Sequence, residues 1–145
     1  MAALLLTSRY PQIGDIKCAS PAFFAEDWVG VHTPRSKRGE DWTAPGTAGE
    51  LYLPRTAGAR LFNFALTVTG DFEEDGTPYA DPAQGLRTNM DLLEDEAEGL
   101  VTFSDVNPTA TRTAQAIILF GEPAQVDDNT LRIVVNVKIP TGTWT

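Results

Sequence analysis

Histidine and cysteine are nearly missing. His32 is the one imidazole and Cys18 the one thiol in 145 residues. A single thiol forms no internal disulfide, so the simplest expectation is a reducing compartment with Cys18 as a buried free thiol. Zinc sites draw on several Cys and His at fixed spacing, and neither C-x-x-C nor H-E-x-x-H occurs. A Cys18–His32 pair is the only conceivable thiol catalyst, and nothing else in the sequence supports one. There is no G-x-S-x-G elbow for a hydrolase serine, and no Walker A or G-x-G-x-x-G loop to cradle phosphate. No enzyme activity, metal or cofactor is expected. Long hydrophobic runs are also lacking. Residues 1–6 (MAALLL) are apolar but lack a basic lead, and Arg9, Tyr10 and Pro11 follow soon after. A signal peptide needs about 7–15 apolar residues and a membrane span about 20. The chain therefore reads as soluble, with its start a first strand or an arm that docks on a neighbour.

Basic residues are few, and acid is unevenly spread. The formal net charge is −9. Residues 1–60 hold seven Lys/Arg and six Asp/Glu, whereas residues 61–145 hold four and fourteen. This excess disfavours nonspecific binding to DNA or anionic membrane. It also implies one acidic face or rim, either solvated or turned toward a partner.

The length suits a single domain over residues 1–145, with enough chain to bury a core. Residues 1–58 are punctuated by Pro11, Pro21, Pro34, Pro45 and Pro54, which fits short strands or an extended arm over residues 1–22. Residues 34–49 are polar and Gly-rich, a long loop of the kind that usually has a task. The remainder is regular. Residues 60–69 alternate, with Phe62, Phe64, Leu66 and Val68 on one side, as a half-buried strand does. An acidic loop over 71–79 leads to a helix near 82–98. Asp81 is placed to cap it, Pro82 suits the first helical position, and Gly99 suits the exit. Leu86, Met90, Leu93 and Ala97 share one helical face and Asp91, Glu94, Asp95 and Glu98 the other. Strands follow over 100–105, 111–120 and 129–139, with 121–128 as a hairpin loop. The fold class expected is mainly β with one helix (α+β): an antiparallel β-sandwich with a single packed helix.

Several constellations hint at chemistry. Asp71, Glu73, Asp75 and Gly76 match the opening of a calcium loop, but Pro82 stands where its bidentate Glu belongs, so a solvated turn is the better reading. The helical carboxylates lie on an exposed face, unlike the paired acids of a glycosidase cleft. Arg35, Lys37 and Arg38 form a small basic cluster that Glu40 and Asp41 offset, which fits pairing with an acidic neighbour surface. Trp28, Trp42 and Trp144 are stacking platforms if exposed, which would make a carbohydrate-binding β module, and core or interface residues if not.

The segment RGEDWTAPGTAG (38–49), the basic Arg55, the alternating strand ending in Gly70, the acidic Asp75–Gly76 loop and the helical frame GLRTNMDLL (85–93) occur in that order. Over residues 34–140 this resembles the N-terminal domain of distal tail and minor tail proteins of long, non-contractile-tailed phages, with Asn89 and Leu93 in the family's helix frame. The resemblance implies a tail-tube-like fold and a ring, expected to be hexameric, around the DNA channel. Its partners would be copies of itself and other tail proteins such as tail tube and hub, with DNA as passing cargo through an acidic lumen. It also implies assembly in the host cytoplasm and residence in the virion tail. Tail tube, tail terminator and connector proteins share the fold and stand as alternatives. The subunit-interface candidates are Arg35, Lys37, Arg38 and Trp42 on the loop, and Asn89, Asp91, Glu94, Asp95 and Glu98 on the helix.

Overall fold

The alternating segments do become strands, and they join in one antiparallel sheet. The structure is a computed structural model that describes residues 4–32, 37–38 and 56–145. The elements are β1 (Tyr10–Ile13), β2 (Ile16–Lys17), β3 (Phe23–Glu26), a 3-10 turn (Trp28–His32), β4 (Lys37–Arg38) and β5 (Thr56–Ala57). They continue with β6 (Arg60–Thr69), α1 (Pro82–Glu96), β7 (Leu100–Val106), β8 (Arg112–Phe120), β9 (Ala124–Asp127) and β10 (Thr130–Ile139). The main sheet has eight strands in the order β2-β1-β7-β8-β10-β6-β3, with β9 added on β10, and β4 pairs with β5. The fold is mainly antiparallel β with one helix.

The expected sandwich of two sheets is instead one sheet that curls onto itself. Residues after β2 reach β3: Ala25 N donates to Cys18 O (3.0 Å), Ser20 N donates to Phe23 O (2.9 Å), and Ala19 bridges Phe24. The two ends of the strand order thus meet, as the right-handed twist of long strands allows. Phe23, Phe62, Phe64, Leu66, Phe103, Ile118, Val135 and Val137 fill one continuous core inside the curl. Of the stretch 1–22 read as an arm, Tyr10, Ile13, Ile16, Cys18 and Ala19 are buried in this core. Their apolar side chains need cover, and β7 supplies the pairing for β1. Leu4, Leu5 and Leu6 remain exposed.

Two stretches read as loops contain short strands. Residues 37–38 of the 34–49 segment pair with 57–56, and the rest of that segment lies outside the described residues. Within 121–128, β9 pairs with β10. Neither carries an alternating apolar pattern, which is why periodicity missed them.

The helix begins as the sequence reads. Asp81 Oδ1 accepts from Ala83 N (3.2 Å) and Pro82 opens the helix. The helix ends earlier than the sequence reads, at Glu96 with Ala97 as its C-cap, and Gly99, two residues past that cap at φ +72°, turns the chain into β7. Its deepest residues, however, are Gly85, Asn89 and Leu93, with Ala97 also buried. Leu86 and Met90 only border the core. A Cβ at Gly85 would come within 2.7 Å of the Tyr79 ring. The bare backbone there lets the helix settle against the end of β6, one residue round from the apolar stripe.

Candidate functional site: an acid-free outer sheet face

The helix carries the acids and β6, β8 and β10 carry none. Asp91, Glu94 and Asp95 are exposed on α1, around a half-exposed Leu92, and Glu98 is exposed two residues beyond its end. The sequences of β6, β8 and β10 contain no Asp or Glu. Their outward residues include large aliphatic groups: Leu61 (58% exposed), Leu119 (64%), Val134 (43%) and Ile117 (37%). Large apolar groups exposed together on neighbouring strands mark interaction sites more often than scattered single residues do.

Register fixes the layout of this face. Lys138 stands between Leu61 and Ile117, Asn136 between Asn63 and Leu119, and Val134 beside Ala65. Gly121 N donates to Val134 O (2.8 Å), which completes that third row. The face holds two shallow hollows of about 320 and 360 Å³, both lined by Asn63. Lys138 lines the first. Glu122 and Val134 line the second, with Arg132 and Asp27. Arg132 is already neutralised, since its guanidinium lies 3.2 Å from Asp27 and 3.4 Å from Glu26. Asp27 takes φ +53°, a region that Asp tolerates better than most residues.

Beside this face runs an open strand edge. All four residues of β9 are exposed, including Val126 at 60%, and among the described residues β9 pairs only with β10. Its second edge presents main-chain groups that another strand can take up.

The other candidates fall in different places. Asn89 is 1% exposed, so it does not face another subunit. Its Nδ2 donates to Thr69 O (2.7 Å) and Phe72 O (3.2 Å), and its Oδ1 accepts from the Tyr79 hydroxyl (2.9 Å). It therefore clamps the acidic loop to the helix. Lys37 and Arg38 form β4, and Arg35 and Trp42 lie outside the described residues. Trp144 stacks on Phe62 (centroids 6.1 Å apart) beneath the Arg112 guanidinium (4.4 Å), and Trp28 packs on the core. Both serve packing here. Arg112 also pairs with Asp105 (2.9 Å), donates to Val31 O (3.2 Å) and lies 3.4 Å from His32 Nδ1.

Cys18 is buried, and burial, with Glu74 nearby, pushes its thiol up to about 12. At neutral pH it stays protonated and weakly nucleophilic. Burial and then Glu96 raise Glu74 above the usual carboxyl range, while Lys17 opposes them. In the acidic loop read as a solvated turn, Asp75 Oδ1 accepts from Thr77 N (3.0 Å), and this bond lowers its carboxyl. The turn is thus held by its own backbone. Sequence reasoning missed Glu96, whose Oε1 accepts from Asp15 N (2.8 Å) and ties the helix end to the β1–β2 turn. It also missed the acid-free face, although the missing Asp and Glu in residues 60–69, 112–120 and 130–139 were the signal for it.

No family model matches the chain, and neither a curated protein nor a solved structure similar to it was found.

Proposed function

We propose that this chain is a structural protein that works by assembling, a ring-forming component of the tail of a long-tailed phage, of the distal tail or minor tail kind. The observation that carries the assembly reading is the open edge of β9 beside a sheet face that exposes large aliphatic groups and has no acid on β6, β8 and β10. A strand edge left exposed is a liability unless a partner covers it. The tail assignment rests on the resemblance of residues 34–140 and agrees with a mainly antiparallel β fold bearing one helix.

In this reading copies join through sheet edges into a hexamer with a tail-tube-like subunit. The acidic side, with Asp91, Glu94, Asp95 and Glu98, turns toward the lumen, where like charge lets DNA pass without sticking. Tail tube and hub proteins are the neighbours in the virion. Tail tube, terminator or connector roles differ from this one only in position along the tail. The chain acts through contact rather than catalysis.

Electron microscopy with mass photometry tests the reading. Rings with a central opening and a mass near six copies are expected, and Val126→Pro in β9 is expected to prevent them. A protein that stays monomeric alone and in the presence of tail tube protein would contradict it.

A further inference from the structure

We infer that the outer face of β6, β10 and β8 is an isologous contact, on which a second copy of this chain docks face to face across a two-fold axis. The inference rests on the assembly reading above and adds a second self-contact to the β9 edge that would close the ring.

Shape and charge both favour this contact. The face has three rows. Leu61, Lys138 and Ile117 form a bulky row, and Asn63, Asn136 and Leu119 a middle row. Ala65, Val134 and Gly121 form a small one. A two-fold axis lying across the strands at the middle row places the bulky row of each copy over the small row of the other. Leu61 then meets the space above Ala65, and Ile117 that above Gly121. Leu119 meets its own equivalent on the axis. The Asn side chains also meet their equivalents, and an amide both donates and accepts, so it pairs with itself.

Charge selects the same partner. Each copy carries −9, so acidic faces repel, whereas this face has no acid on its three strands. Lys138 lies two residues from Asn136 on one side and Val134 two residues on the other. The axis therefore brings Lys138 over Val134 of the second copy, at the hollow that Glu122 lines. This makes two reciprocal Lys138–Glu122 pairs. Isologous contacts repeat every interaction in this way.

Sedimentation equilibrium on the full chain tests it with Lys138→Glu, Glu122→Lys and the double variant. Both positions are solvent-exposed. Each single reversal is expected to weaken pairing about tenfold, since two reciprocal contacts change sign, and the double swap to restore it to within about threefold. Ala65→Leu, which fills the small row without altering charge, is expected to weaken pairing as well. Single variants that pair like the parent, a double variant no better than either single one, or a parent that never pairs would each overturn the inference. Pairing that is unchanged in Lys138→Glu while rings still form would remove this contact and leave the ring reading standing. Pairs that respond to the swap but never close into rings would do the reverse.

Discussion

Asn89 directs its amide inward, to Thr69 O, Phe72 O and the Tyr79 hydroxyl. Replacing it with Ala leaves three buried or half-buried polar groups without that partner, at a cost of about 1–3 kcal/mol. We expect Asn89→Ala to lower the urea unfolding free energy by about 2 kcal/mol, and a loss below about 0.5 kcal/mol would show that the clamp is dispensable. The sequence placed Asn89 in a family frame but not in the interior. Hydropathy periodicity registers apolar side chains, and here the innermost helical positions include a glycine and an amide. Gly85 is inward because the Tyr79 ring leaves no room for a Cβ, a fact about a loop that only the folded chain brings near. Cys18 was legible as a buried thiol because a lone Cys is usually a small core residue.

The helix is fixed at both ends, by the Asp81 cap and by Glu96 on the β1–β2 turn. Near that turn Glu74 carries a pH signature. Its raised folded value means that the protonated form is favoured in the native chain. That contribution is complete below the unfolded carboxyl range and is lost as pH rises through the raised folded value. Gln mimics the protonated acid. Glu74→Gln is therefore expected to melt with the parent in acid and above it at pH 8, in thermal unfolding followed by circular dichroism. A variant less stable than the parent at pH 8 would contradict the assignment. Strands β6, β8 and β10 were legible because one buried face imposes a period of two. Strands β4 and β9 were not, since their short pairing needs no apolar alternation.

Charge divides the molecule. The exposed carboxylates of α1 stand on one surface, and β6, β10 and β8 show another that exposes large aliphatic groups and takes no acid from those three strands. The composition of the second half announced the acid, but not its segregation, which depends on which strands become neighbours. Closure of the sheet was equally hidden, because it turns on the main-chain bonds of residues 18–25 rather than on any periodic pattern. In the proposed assembly, β9 and the face beside it are where the chain meets other chains. Hydrogen–deuterium exchange at low and high protein concentration reads this directly. Amides of Ala124–Asp127 are expected to exchange fast in dilute protein and to slow as assembly covers the open edge, while those of α1 keep the same rate. Equal exchange of Ala124–Asp127 at every concentration, with or without added phage tail tube protein, would contradict it.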